Sequence, residues 1–208
     1  MLIKTVLNVL IIMGLVFLPS HGLAAGEFPE AAYRSMLLKH EKFLSSIKNN
    51  DVKKAYFASH LAFIDYFESE KENLGIFDEE LKIHGKVFHI YRDNLKAIID
   101  QRELEITSLA RNNSNWLSQK TREHLMRSFK AVNQRVPYDR GEPLRPSFRA
   151  ADRAWKSFVE RERTFYLLLS KKSGRPLEDC TNVLYEARAA NLYREYKGVI
   201  AIKIEKED

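Results

Sequence analysis

The sequence predicts an all-α protein of about six amphipathic helices in an antiparallel bundle, built as one domain over residues 25–208. The first observation is that apolar residues recur with the 3.6-residue helical period almost throughout the chain after residue 28. The second is that the breaks in this period fall at clusters of Asn, Gly and Pro, which favour turns. Most of these breaks are short, and short connections between helices favour antiparallel neighbours.

A third observation is an internal echo, because residues 147–163 resemble residues 55–71 at a distance of 92 positions. Four positions are identical and four keep their type: Ala58/Ala150, Ala62/Ala154, Glu68/Glu160, Glu70/Glu162, Tyr56/Phe148, Phe63/Trp155, Tyr66/Phe158 and Lys71/Arg163. Two tandem helical repeats, with halves 29–113 and 114–197, would explain the echo. Chance similarity between two amphipathic helices would explain it as well, and both interpretations stay open.

The first predicted helix opens with Pro29 in its first turn and buries Tyr33, Met36, Leu37, His40, Phe43, Leu44 and Ile47. Residues 49–51, Asn-Asn-Asp, end it and cap the second helix, which ends near Asn73-Leu74-Gly75. The third helix begins at Asp78 and runs towards residue 112, with Leu81, His84, Phe88, Tyr91, Leu95, Ile98 and Ile99 inward.

The second half of the chain predicts three more helices. A fourth covers 118–135, and the Pro-containing segment 136–146 is the clear long loop. The fifth covers 147–170, with Phe148, Ala151, Trp155, Phe158, Glu162, Phe165 and Leu169 recurring on one face. The sixth covers 177–197, and a polar tail at 198–208 is either a short strand or a fraying extension.

The first 24 residues are typical of a signal peptide. Lys4 precedes an apolar run at 5–18, and Gly22-Leu23-Ala24 supplies small residues before a cleavage site. The run is shorter than the roughly 20 residues that span a bilayer, so a retained anchor is the weaker alternative. We therefore expect a periplasmic or secreted protein with no membrane span after signal removal.

The net charge and the cysteine content limit which kinds of binding partner we expect. The chain has 34 basic and 28 acidic residues, and loss of Lys4 with the leader leaves a net charge of about +5. Such a balance favours anionic neighbours, while export argues against nucleic acid as a partner. Cys180 is the single cysteine, and it is interpreted either as a buried, inert thiol or as one half of a disulfide between chains.

The sequence contains none of the common catalytic or cofactor signatures. It has no G-x-S-x-G, no Gly-rich phosphate loop, no C-x-x-C and no H-E-x-x-H. Glu80 and His84, one turn apart, would at most form a weak metal pair. We therefore expect no enzyme, no catalytic residues, no metal and no cofactor.

Basic residues cluster in and beside the long loop and the fifth predicted helix. Arg149, Arg153 and Lys156 share one helix face, and Arg140 and Arg145 project from the Pro-rich loop. One interpretation is a solvated face with local ion pairs. The other is a surface that binds an anionic partner, for which these five residues are the candidates.

The motif at 150–155, Ala-Ala-Asp-Arg-Ala-Trp, followed by Cys180 and by Arg188 to Leu192, resembles the lysozyme inhibitor LprI-like domain of exported bacterial proteins. The signature residues are Trp155, Cys180, Arg188 and Leu192. The chain departs from the family at Val159 and Arg163, where the family has arginine and cysteine, so Cys180 lacks the family's disulfide partner. The resemblance implies a helical exported protein, with lysozyme inhibition reported for some members.

Two functions follow as expectations. The first is a non-catalytic exported helical protein that binds another envelope component, with lysozyme inhibition as its specific form and Arg140 and Arg145 reaching an acidic cleft. The alternative is a structural or assembly module that binds anionic cell-wall polymer through its basic face.

Overall fold

A computed structural model describes residues 28–83, 90–110 and 145–173, together with Leu184, Tyr185, Arg188, Asn191 and Leu192. The described ranges form four helices: α1 (Glu30–Ser46), α2 (Asn50–Ile83), α3 (Ile90–Ala110) and α4 (Arg145–Ser173). The five separate residues at 184–192 are helical as well, and no strand occurs among the described residues. The all-α prediction is therefore confirmed.

The first described helix and the cap of the second form where the sequence pattern predicted them. Pro29 precedes the first turn of α1, and Tyr33, Met36, His40 and Phe43 are buried. Asn49 caps α2, because its side-chain oxygen accepts hydrogen bonds from the backbone N–H of Asp51 and Val52 at 3.1 and 3.0 Å. The cap satisfies two of the backbone donors that the first helical turn leaves free.

The predicted end of the second helix near Asn73-Leu74-Gly75 is wrong, because α2 continues without a break to Ile83. Leu74 and Phe77 are both fully buried. Burying each of them contributes about 1.5–3 kcal/mol, which exceeds the cost of roughly 1 kcal/mol for a glycine inside a helix. Asp78, expected to begin the third helix, therefore lies within α2.

The next two helices differ from the prediction mainly at their boundaries. Helix α3 begins at Ile90 and buries Tyr91, Leu95, Ile98 and Ile99 as expected. Helix α4 begins at Arg145, so the last two residues of the predicted loop are helical, with Pro146 in the first turn, where its missing N–H costs nothing. The predicted inward face of this helix is buried from Phe148 to Phe165, and Leu169 packs against the core.

Several predictions concern residues outside the described ranges. They are the signal peptide, the inward positions His84 and Phe88, the helix at 118–135, the loop up to residue 144, most of the sixth helix, and the tail. The count of six helices, their bundle arrangement and the domain boundaries accordingly stay predictions.

Two long helices form the centre of the described structure. Helices α2 and α4 make the most extensive helix–helix contact, while α3 packs on both α1 and α2. The core between them is rich in aromatic side chains, including Tyr56, Phe63, Phe67, Phe158 and Phe165. Within the described residues, no helix is both long and apolar enough to cross a bilayer.

Candidate functional site

A buried arginine holds a cluster of polar groups at the junction of α2, α3 and α4. Arg102 of α3 is 2% exposed. Its Nη1 pairs with Glu105, one turn along the same helix, and lies 3.2 Å from Oε2 of Glu162 on α4. Tyr166 donates its hydroxyl hydrogen to Glu105, and Ser59 of α2 donates to Glu162. Three helices are therefore joined by one charged cluster inside the core.

Aromatic rings surround the Arg102 guanidinium. Its central carbon lies 5.2 Å from the ring centres of Phe63 and Phe158, and 5.8 Å from that of Tyr56. Cation–π attraction of this kind is strongest where water is excluded. The rings thus offset part of the cost of removing the charge from water.

A second buried arginine lies in the same core. Arg188 is 1% exposed, and its Nη1 lies 2.8 Å from Oε1 of Glu70 on α2. The same nitrogen donates to the Tyr66 hydroxyl at 3.4 Å. Its guanidinium carbon lies 5.6 Å from the Tyr66 ring centre and 6.0 Å from that of Phe148. The site repeats the first one: a buried carboxylate, an arginine and aromatic rings.

The two sites correspond through the 92-residue echo, and their ion pairs cross. Glu70 and Glu162 are echo partners, and each lies beside an arginine from the other part of the chain: Glu70 beside Arg188 at 2.8 Å and Glu162 beside Arg102 at 3.2 Å. The aromatic rings around the two arginines show the same crossed arrangement.

Tyr56 and Phe158 lie against Arg102, while their echo partners Phe148 and Tyr66 lie against Arg188. The echo partners Tyr66 and Phe158 also stack on each other, with centroids 6.1 Å apart and planes 5° from parallel. Positions related in sequence therefore have related surroundings in space.

The charge of the first cluster depends on one proton. Burial, reinforced by the Glu105 carboxylate, holds the pKa of Glu162 well above its ordinary value, although Arg102 acts in the opposite direction. The two arginines and the three carboxyl groups would carry one net negative charge if all were ionised, and protonation of Glu162 would remove it. A neutral pair of clusters is far less costly to bury than one with an uncompensated charge.

Two stacked histidines lie beside the first cluster. The rings of His40 on α1 and His60 on α2 are 3.3 Å apart between centroids and 12° from parallel. His40 Nδ1 and the Tyr56 hydroxyl are 3.1 Å apart. Burial, assisted by Arg102, lowers the pKa of His40 to about 3, and burial together with His40 lowers the pKa of His60 well below its ordinary value. Both rings are therefore neutral at physiological pH.

A small cavity of about 30 Å³ lies between the two arginine sites. Its lining includes Arg102 and Gln101 of α3, Trp155 of α4, and Arg188 from the last described residues. This volume accommodates a water molecule or an ion of similar size. Among the described residues, no group of three or more His, Cys, Asp or Glu side chains could hold a metal ion.

The residues of the family signature lie in and around these sites. Trp155 is buried and meets Tyr185 edge to face, with centroids 5.2 Å apart. Arg188 is the cation of the second site, and Leu192 is fully buried. Cys180 lies outside the described residues. Of the three signature residues that the structure describes, each is therefore buried.

The candidate partner-binding residues lie on the outer face of α4. Arg149, Arg153 and Lys156 are exposed, and Lys156 pairs with Asp152 at 2.7 Å. The side chain of Arg145 and the whole of Arg140 lie outside the described residues. Glu162, on the opposite face of α4, is fully buried and faces Arg102, so it does not offset these exposed charges.

The two arginine clusters were not predicted from the sequence. Glu162 interrupts the apolar face of its helix, and Arg102 and Glu105 lie one turn apart between Ile99 and Ile106. Charged residues on an apolar face are the signal that could have indicated a buried ion network.

Fold and site together define an all-α protein with crossed, aromatic-lined ion pairs in its core and basic residues on one outer helix. Comparison with protein-family models, with curated proteins and with solved structures finds no match. The LprI-like resemblance stays a prediction that rests on the residues quoted for it.

Proposed function

We propose that this chain is an exported, non-catalytic helical protein that binds another component of the bacterial envelope, and that the outer face of α4 is its contact surface. The observation that supports this proposal is a line of exposed cations, here called the basic stripe. It comprises Arg149, Arg153, Lys156, Arg163 and Lys171. Their spacing keeps them within one side of the helix, over a length of about 33 Å.

The charges of the basic stripe are poorly compensated. Glu160 is the one exposed acid on the same side of α4, and Arg149, Arg153 and Arg163 form no ion pair with any described residue. Arg149 and Arg153 are moreover like charges at i, i+4, an arrangement that costs a helix about 0.2–0.5 kcal/mol. An anionic partner would relieve this repulsion, and the relief would add to the free energy of binding.

The resemblance to the LprI-like family supports lysozyme inhibition as the specific form of this binding. Guanidinium groups match carboxylates with paired hydrogen bonds, so an acidic catalytic cleft is a suitable target. A turbidity assay of cell-wall lysis, with and without the purified protein, tests this form directly. Absence of protection at micromolar excess against several lysozyme types would exclude it.

The length and uniform sign of the basic stripe support the second candidate, binding of anionic cell-wall polymer. A straight row of cations matches a repeating row of phosphates or carboxylates better than it matches a single cleft. Polymer binding should weaken steeply with ionic strength because the screened charges supply the affinity. A shape-matched inhibitor should retain much of its affinity in the same titration.

A matched pair of variants separates the basic stripe from general charge. Arg149→Glu with Arg153→Glu reverses two stripe charges, and Lys42→Glu with Lys54→Glu reverses two exposed charges on α1 and α2. Affinity for polyphosphate and for poly-glutamate, measured at several salt concentrations, should fall at least tenfold in the first variant only. Equal losses in both would show that net charge, and not this face of α4, is responsible.

We also propose a finer arrangement of the fold, namely two tandem helical repeats within a six-helix bundle. The crossed pairs Glu70–Arg188 and Glu162–Arg102 support two tandem helical repeats, and with them the predicted six-helix bundle. Export is tested by cell fractionation and by the N-terminal sequence of the processed protein, which should begin at Ala25.

A further inference from the structure

Acidic residues recur at seven-residue intervals on the outer side of α2. Asp65, Glu72 and Glu79, here called the acidic row, lie one heptad apart; Asp65 and Glu72 are exposed, and Glu79 is half-buried. Seven residues are close to two helical turns, so the three carboxylates follow one side of the helix at intervals of about 10.5 Å. Asp65 and Glu72 form no ion pair with any described residue.

The basic stripe of α4 contains cations at the same interval. Three of its members, Arg149, Lys156 and Arg163, lie one heptad apart at exposed positions. Lys156 pairs with Asp152 of the same helix at 2.7 Å, an exposed pair of the kind that contributes little. None of the three pairs with Asp65 or Glu72, although the two rows have equal length and opposite sign. These charges are therefore not matched within one chain.

Two exposed leucines indicate the direction in which the rows would pair. Leu61 lies four residues before Asp65, and Leu167 lies four residues after Arg163; the two leucines are 44% and 43% exposed. Charges at heptad spacing match in either direction. Only an antiparallel pairing also places the two leucines opposite each other, where they would exclude water from the end of the contact.

We propose that the outer face of α2 in one copy of this chain binds the outer face of α4 in a second copy, with the two helices antiparallel. Complementary charges at heptad spacing determine partner and orientation where helices pair. The facing residues, the first of each pair from one copy and the second from the other, are Asp65 and Arg163, Glu72 and Lys156, Glu79 and Arg149, and Leu61 and Leu167.

One opposed pair in this arrangement is unfavourable, because Glu68 would face Glu160. Glu68 already pairs with Lys71 at 3.2 Å, which reduces the repulsion. Exposed ion pairs are individually weak, so the association depends on several of them acting together. The contact joins different helices of the two copies and is therefore heterologous, so each copy keeps one unused face to which a further copy can bind.

Light scattering of the purified protein alone tests the self-association. The contact uses three cations of the proposed envelope-binding surface, but it requires no envelope component, so the result does not depend on that proposal. At low ionic strength the weight-average mass should at least double as the protein concentration rises from micromolar to millimolar. High salt should return it to the mass of one chain, because the ions screen the pairs. The mass of one chain at every concentration would overturn the proposal.

Charge reversal on each helix locates the contact. Asp65→Lys with Glu72→Lys reverses the acidic row, and Lys156→Glu with Arg163→Glu reverses two cations of the basic stripe. Each variant alone should have the mass of one chain, because its two faces then carry like charges. An equal mixture of the two variants should associate again, since opposite charges meet at every contact between them. Both variants keep a positive net charge, so general attraction between them would not explain such a recovery.

Two further variants complete the test. The variant with all four reversals should regain self-association while its affinity for anionic polymer falls, which separates this contact from the proposed envelope binding. Lys42→Glu with Lys48→Glu reverses two exposed charges outside both rows and should associate as the unmodified protein does. A mixture of the two reversed variants that keeps the mass of one chain would overturn the proposal, as would reversed variants that associate undiminished on their own.

Discussion

Nη1 of Arg102 on α3 and Oε2 of Glu162 on α4 lie 3.2 Å apart, although both side chains are almost wholly removed from solvent. Removing the Arg102 charge from water costs several kcal/mol, so the arginine lies in the core only because further groups compensate it. Glu105, Tyr166, Ser59 and the aromatic rings supply that compensation. The pair consequently fixes how α3 and α4 meet more than it adds to stability.

Loss of the Arg102 cation should strongly lower the free energy of unfolding, and removal of the neighbouring carboxylates should restore part of it. Arg102→Met leaves Glu105 and Glu162 buried without a counter-charge, and we expect the free energy of unfolding to fall by about 3–5 kcal/mol. Urea unfolding followed by circular dichroism measures it. The triple variant Arg102→Met, Glu105→Gln, Glu162→Gln removes the charges together and should recover at least half of the loss. A triple variant as unstable as the single one would contradict this account.

The two carboxylates beside Arg102 should compensate for each other. The raised pKa of Glu162 favours its protonated form, which glutamine resembles, so Glu162→Gln should change the free energy of unfolding by less than about 1 kcal/mol. Glu105→Gln should also be mild, because Glu162 then loses its proton and takes over the pairing. The double variant leaves Arg102 without any carboxylate and should cost about 3 kcal/mol or more. Additive single and double effects in the same unfolding experiments would show that the groups are not coupled.

Acid should destabilise the protein through the stacked histidines. The folded pKa values of His40 and His60 lie below their ordinary value of 6.5, so below that pH the unfolded chain binds two protons that the folded chain does not. The pKa of Glu162 is raised, so between pH 4.5 and its folded pKa the folded chain holds one proton more. The net uptake on unfolding is one proton at about pH 5, where stability should fall by about 1.4 kcal/mol per pH unit as the pH drops.

The same three groups predict that stability stops rising once the pH passes about 6.5, since above it the histidines are neutral in both states and only the raised pKa of Glu162 opposes folding. His60→Phe keeps a ring in the stack and should remove one proton from the acid slope. Glu162→Gln should flatten the alkaline side. A profile that is flat from pH 5 to 7 would contradict these assignments.

Truncation of Trp155 tests its packing against Tyr185. Trp155→Ala removes a buried ring that contacts Tyr185 and should cost about 3–5 kcal/mol. Leu104→Ala, at a half-exposed position of α3, is the control and should cost less than about 1 kcal/mol. Thermal unfolding measures both, and a similar loss in the two variants would show that the Trp155 contact contributes little.

Local signals predicted the helices well wherever they were strong. Asn49 could be identified as a cap because its side chain acts within three residues. The end of α2 was predicted wrongly at Gly75. The burial of Leu74 and Phe77, which no local pattern reveals, outweighs the cost of a glycine inside the helix. The crossed pairings of Glu70 and Glu162 could not be predicted, since each depends on an arginine far away in the sequence.

The crossed ion pairs have a consequence for how the chain can be divided. Each segment of the echo holds an acid whose arginine partner comes from elsewhere in the chain, so a fragment that contains either segment alone would bury the acid without its base. Such reciprocity, in which one surface meets an equivalent surface through exchanged partners, is the geometry of an isologous dimer. The described residues thus reproduce, within one chain, the exchange of partners that two subunits make across such an interface.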